Sequence, residues 1–187
     1  MAFLDDLEKS LSDPSLGDRL GLYAVSSIQR KIAGGNFTPN ARVTSDVKRG
    51  SPPLSDRGQL VASIDYRKTA GDVVITSNHV AAGILNSGGT ITAKKSWLFI
   101  PASRKTRELQ RRYGFSPKVL LSGLRADGFS VWRQGRAIFY RQKGPGSSKR
   151  RAVMVYILKK SVTIPKREFF VLTDDEIDVM LGMMRGA

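Results

Sequence analysis

Apolar residues recur at helical spacing at both ends of the chain and alternate with polar ones through its centre. Phe3, Leu4, Leu7 and Leu11 share one helical face over 3–11. Asp13-Pro14 reads as a helix cap and first turn. Leu16, Leu20, Tyr23, Ile28 and Ile32 continue with a second apolar face, and Gly34-Gly35 is expected to stop it in a left-handed turn. The pattern fits one kinked helix over 3–33 or two helices. Residues 36–58 are rich in Pro, Gly and Ser and read as one long loop. A short helical turn is expected over 54–60, capped by Ser55 or Asp56.

Val61–Arg67 and Val73–Ser77 read as strands joined around Ala70-Gly71-Asp72. Val80–Leu85 is an apolar run that ends at the turn Asn86-Ser87-Gly88-Gly89. Trp97–Ile100 is a short strand stopped by Pro101. Ser103–Arg112 reads as a charged helix. The segment after Ser116-Pro117, with Val119, Leu120, Leu121 and Leu124, fits helix better than strand. Phe129–Gln142 interleaves apolar and basic residues around Gln134-Gly135, a hairpin pattern. Gly144–Arg151 reads as a flexible basic tip, and Ala152–Leu158 as a further strand. Thr173 and Glu176 have the spacing of a capping box, opening a helix with Ile177, Met180, Leu181 and Met184 on one face. Helices at both ends with strands between give an α+β class. The expected architecture is an antiparallel β-sandwich or partly closed barrel flanked by N- and C-terminal helices. The chain reads as one domain over 1–187, with a basic elaboration at about 94–160 that includes the inserted hairpin.

Charge changes this picture more than composition does. The chain of 187 residues holds 31 Lys+Arg against 16 Asp+Glu. From Lys94 to Lys160 there are 18 basic residues and two acidic ones, Glu108 and Asp127. A segment this cationic repels itself unless something negative lies against it. The candidate contact residues are Arg133, Arg136, Arg141 and Lys143 of the hairpin and Lys149, Arg150 and Arg151 of its tip. The rest of the chain is close to neutral.

Recognisable chemistry is sparse. The absence of Cys excludes disulfides and thiolate metal sites. His79 is the only histidine, and no carboxylate stands near it at ligand spacing. Neither phosphate-binding glycine pattern is present. Asp174-Asp175-Glu176 reads as a helix start rather than a metal site. No catalytic residue, metal or cofactor is expected. No apolar run reaches the length of a membrane span. The acidic start Met1–Asp6 lacks the basic flank of a secretory signal, and the ending Arg185-Gly186-Ala187 matches no targeting motif.

Three segments carry a resemblance through their order. The first runs Thr38-Pro39, Thr44, Lys48, then Pro53-Leu54-Ser55-Asp56-Arg57-Gly58-Gln59-Leu60 to Ser63-Ile64. The second is Val80 to Ile91, with Ile84, Asn86, Gly88 and Gly89. The third is Ile164-Pro165-Lys166-Arg167-Glu168-Phe169-Phe170, followed by the helix capped at Thr173. Together they resemble the phage virion morphogenesis family, the tail-completion proteins of Mu-like contractile-tailed phages, which are related in fold to neck and tail-terminator proteins. Arg57, Lys166, Glu168 and Phe170 depart from the family's usual Thr, Ala, Pro and Leu. The segment 94–160 matches only loosely. The resemblance covers about two thirds of the chain, and its motifs are structural rather than catalytic.

The resemblance implies a non-enzymatic virion protein at the head–tail junction. It would assemble as a ring of identical subunits, a hexamer among the candidate stoichiometries, that completes or terminates the tail and joins it to the head. Its partners would be copies of itself, the tail tube or sheath, and portal or neck proteins. It would reside in the host cytoplasm during assembly and in the virion afterwards, without a membrane stage. The structural motif residues are then Asp56, Gly58, Leu60, Ile64, Gly88, Gly89, Pro165, Phe169, Phe170, Thr173 and Glu176. The alternative reading is a sequence-independent nucleic-acid binder. In it the basic segment 94–160 contacts genomic DNA, and Trp132, Phe139 and Tyr140 are candidates to stack on bases.

Overall fold

A computed structural model describes residues 15–48, 52–69, 72–144, 146 and 151–185. The expected helix over 3–11, the Asp13-Pro14 cap, Lys149 and Arg150 lie outside the described residues. The chain divides into two compact units. The first comprises 1–39, 52–89 and 165–187, and the second 40–51 and 90–164. The elements are α1 (Leu16–Gly34), α2 (Arg42–Val47), α3 (Gln59–Ala62), β1 (Ile64–Thr69), β2 (Asp72–Ser77), α4 (Ala82–Ser87), β3 (Gly89–Thr92) and β4 (Leu98–Pro101). They continue with α5 (Arg104–Tyr113), α6 (Pro117–Ala126), β5 (Phe129–Gln134), β6 (Ala137–Gln142), β7 (Val153–Lys159), β8 (Ser161–Ile164) and α7 (Asp174–Met184). The protein is α+β, with antiparallel sheets and helices flanking them. Among the described residues no sheet closes into a barrel: the largest has four strands in the order β4-β7-β6-β5.

In the first unit, α1 buries Leu16, Ile28 and Ile32 of the expected face, with Ala24 between them, while Leu20 and Tyr23 are half-buried. The β1–β2 hairpin pairs Ile64 with Ser77 through Thr69 with Asp72. Gly21 lets the hairpin come close, since a Cβ there would run into the Tyr66 ring. Tyr66 Oη donates to Asp18 Oδ1 at 3.0 Å and Lys68 Nζ to Asp18 Oδ2 at 2.8 Å, fixing the same contact at its polar end. The end of α1 differs from expectation. Gly35 is extended, with φ −69° and ψ 144°, rather than left-handed. Space is what selects glycine here, because a Cβ would meet the Lys31 carbonyl and the Phe37 ring.

Two short helices also depart from the sequence reading. The cap position of α3 is held by Gly58 at φ 73°, not by Ser55 or Asp56, and strand β1 starts three residues later than expected. The long loop over 36–58 contains α2. Val43 and Val47 lie one helical turn apart and line a small cleft with Ile100 and Pro101, which gives this segment a surface to fold against.

In the second unit, α5 and α6 pack on the four-stranded sheet. Its core is Leu120, Leu124, Ile138, Tyr140, Val155, Tyr156 and Leu158. The register between β6 and β7 shifts at Ile138/Phe139, a bulge that turns the consecutive residues Val155 and Tyr156 both inward. The Val155 carbonyl accepts from Ala102 N and from Thr106 Oγ1, each at 2.9 Å. Both donors precede or open α5, so the bulge is also what seats that helix. Gly114-Phe115-Ser116 joins α5 to α6, and Tyr113 Oη donates to Asp127 at 2.5 Å across the pair. Strand β3, not foreseen from the sequence, pairs with β8.

The capping box of α7 forms in full: Thr173 N donates to Glu176 Oε2 at 2.8 Å and Glu176 N to Thr173 Oγ1 at 3.4 Å. The expected apolar face is only half covered. Ile177 and Leu181 are 43% and 40% exposed.

Candidate interaction surfaces

The parts of the three segments over 38–39, 53–64, 80–89 and 165–170 meet in the first unit. Phe169 is fully buried against Ile28, Ile32, Leu60 and Ile64. An extended segment in this position has no ladder for its backbone donors. Asn86, in α4, supplies the missing acceptors: its Oδ1 takes Phe169 N at 3.1 Å and Phe170 N at 2.8 Å. Its carbonyl also accepts Arg167 N at 3.2 Å. The Arg167 side chain is itself buried. It donates to the carbonyls of Thr38 at 3.0 Å and Pro39 at 3.3 Å. Burial holds its pKa below the ordinary arginine value, and two carbonyl dipoles stand in for the lost water.

Lys31 extends this knot to the last helix. Its ammonium donates to the Val171 carbonyl at 2.6 Å and pairs with Glu176. Burial works against the Glu176 carboxylate, but hydrogen bonds from Lys31 and from the Thr173 backbone outweigh it, so its pKa lies below the usual value. Gly88 and Gly89 follow Asn86 with φ of 70° and 140°, turning the chain out of α4. Pro165 stands just after β8. A groove of about 390 Å³ beside the knot is lined by Ile75, Ser77, Ala82, Gly83, Asn86 and Phe170 among others, and no charged side chain among the described residues lines it. His79 serves locally, accepting Ala81 N on Nδ1 at 3.2 Å. Among the described residues no three His, Cys, Asp or Glu side chains cluster as a metal site would require.

The second unit holds the charge. Its residues carry 21 Lys+Arg against three Asp+Glu, a net +18, while the first unit carries 10 against 13, a net −3. The hairpin does not stand free as an arm. It forms the β5–β6 side of the sheet, and β6 is hydrogen-bonded to β7 as well. Two of its arginines are engaged with indoles. The Arg133 guanidinium lies 5.2 Å from the Trp97 ring and its Nε donates to the Gly135 carbonyl, while Arg141 lies 5.5 Å from the Trp132 ring. Arg136, Lys143 and Arg151 are exposed. Tyr140 is a core residue, 5% exposed, so it is not available to stack on a base. Trp132 and Phe139 stack on one another at 5.9 Å.

The cationic surface that sequence reading missed is α5. Thr106, Leu109, Gln110 and Tyr113 turn toward the core, and Arg104, Lys105, Arg107, Arg111 and Arg112 are all exposed. The signal was present as a polar core stripe. Thr106 and Gln110 are buried because they bond the bulged strand, so a search for an apolar face overlooks the helix's orientation. Among the described residues no helix is long and apolar enough to cross a membrane. Comparison of the chain with family models, with curated proteins and with solved structures finds no match.

Proposed function

We propose that this chain is a structural virion protein of the phage head–tail junction, assembling as a homo-oligomeric ring that completes or terminates the tail and joins it to the head. The reading rests on the order of the three motifs. The observation that carries it is their convergence: Arg167 on Thr38 and Pro39, Asn86 on Phe169 and Phe170, and Phe169 on Leu60 and Ile64. These residues satisfy backbone groups and fill a core, the two things a structural motif must do. The proposal assigns the protein no catalysis. Its work is shape, symmetry and complementary charge, with tail tube or sheath and portal or neck proteins as partners.

A closed ring requires a heterologous contact that repeats by rotation. The β-sandwich or partly closed barrel read from the sequence belongs to this proposal. The experiment is to mix purified protein with contractile tails that lack it and image them by electron microscopy. The expected result is a ring of added density at the head-proximal end. Tails that stay bare at saturating protein would sink the proposal.

A further inference from the structure

We infer that the solvent face of α5 is a contact surface for the phosphate backbone of duplex DNA, held without regard to base sequence. The inference does not depend on the virion reading, since it stands on the second unit alone. That unit has three acids for 21 bases, so one-to-one pairing within it leaves at least 18 cations without a carboxylate. Among the described residues it forms one ion pair, Arg112 with Asp127 at 3.0 Å. A surface that cannot neutralise itself draws a dense polyanion.

The helix concentrates this excess. The run Arg104-Lys105-Thr106-Arg107-Glu108-Leu109-Gln110-Arg111-Arg112 holds five cations and one acid. Arg104, Arg107 and Arg111 lie within roughly 60° of one another around the axis and span about 10 Å along it. A duplex carries about six phosphates over that length, at one charge per 1.7 Å. The three cations of the stripe face one strand of such a duplex at about one per phosphate, since each strand carries one charge per 3.4 Å. Packing has already fixed its orientation, because Thr106 is bonded to Val155 and Gln110 Nε2 to Tyr156 Oη. Arg104 Nη2 donates to the Lys48 carbonyl at 3.0 Å, which holds that guanidinium in place. Among the described residues no aromatic ring lies against Arg104, Arg107 or Arg111, whereas Lys105 and Arg112 lie over Tyr140 and Tyr113. Stacking, the usual source of single-strand affinity, is absent there, and phosphate contact is what remains.

The test is fluorescence anisotropy of the full chain with a labelled duplex of mixed sequence, titrated from 50 to 300 mM NaCl. Binding is expected to weaken with a log–log salt slope of about −3 if the three cations of the stripe meet phosphates. Arg107→Gln with Arg111→Gln removes two charges and is expected to shallow the slope by about 1.8, whereas Lys94→Gln with Lys95→Gln leaves it unchanged. Circular dichroism confirms that each variant is folded, and single Arg107→Gln and Arg111→Gln variants replace the pair if it is not. Absence of duplex binding at 50 mM NaCl overturns the inference. So does a larger loss from Arg136→Gln with Lys143→Gln than from the α5 pair. Tighter binding of a single strand of equal length, or displacement by poly-glutamate at equal charge, assigns the surface to another class of partner.

Discussion

The two units solve opposite electrostatic problems with the same kinds of element. The first unit is nearly neutral and pairs its charges internally: Lys31 with Glu176, Lys68 with Asp18, and Lys166 with Glu168. Its buried polar groups serve the backbone, and one asparagine and one arginine tie three chain segments into a core. The second unit holds 21 of the chain's 31 cations and leaves most of them outward. It is held by an apolar sheet–helix core and by stacking of arginines on indoles, neither of which consumes charge. The first unit's carboxylates hold its structure together, and the second unit's field is left uncompensated by carboxylates of its own.

The largest expected effect breaks the first unit alone. Phe169→Ala empties a fully buried site and is expected to cost about 3–5 kcal/mol. Hydrogen exchange read by peptide is the measurement. Protection falls in α1, β1 and α4 while β6 and β7 stay protected, and equal loss in both would show that the units are one cooperative core. Asn86→Ala leaves the Phe169 and Phe170 N–H groups without their acceptor, an expected loss of about 1–3 kcal/mol for each. Asn86→Asp retains the accepting oxygen, and chemical denaturation is expected to rank it between Ala and the parent.

A matched pair of glycines compares the units directly. Gly21→Ala drives a methyl group into Tyr66 in the first unit, and Gly123→Ala drives one into Tyr113 in the second. Each is expected to cost about 1–3 kcal/mol, confined by hydrogen exchange to its own unit. If either substitution is neutral in thermal melts, the close approach it tests is not a packing constraint.

Acid separates the units next. Asp18 has its pKa lowered by hydrogen bonds from Lys68 and Tyr66, and Glu176 is lowered despite burial. A carboxylate depressed in the fold contributes stability above its unfolded pKa and loses it as pH falls through the folded one. The first unit is therefore expected to weaken as pH drops through and below 4.5 and 3.8, the ordinary Glu and Asp values. The second unit, with three acids, is expected to change little over the same range. Exchange rates that rise first in β6 and β7 would reverse this assignment. Salt gives the smallest effect and the opposite order. Raising NaCl from 50 to 500 mM screens like-charge repulsion and is expected to stabilise the second unit by less than about 1 kcal/mol, with no gain in the first.

Much of this was legible in the sequence where local physics decides. The capping box at Thr173 and Glu176, the Pro117 start of α6, the β5–β6 hairpin and the strand over Val153–Leu158 all follow from spacing and residue type. The order of the three motifs was also legible. What joins them was not, because Asn86 and Arg167 act on backbone atoms 83 to 129 residues away and carry no periodic signal. Helix α2 escaped notice because Val43 and Val47 pack against residues far along the chain. The cationic window was visible, but the exposed basic face of α5 within it was not. Arg133 and Arg141 lie against Trp97 and Trp132, which only tertiary structure reveals, and the buried faces of Thr106 and Gln110 hid the orientation of α5.

The most direct test of the account is the mass of the nuclease-treated protein by light scattering after size exclusion, at 50 and 500 mM NaCl, with absorbance read at 260 and 280 nm. An assembly protein with a free cationic face is expected to elute at high salt as one discrete multiple of 20.6 kDa without nucleic acid. At low salt it is expected to retain whatever duplex fragments are supplied to it. A 20.6 kDa monomer at both salt concentrations, with no nucleic acid retained at either, would contradict the account.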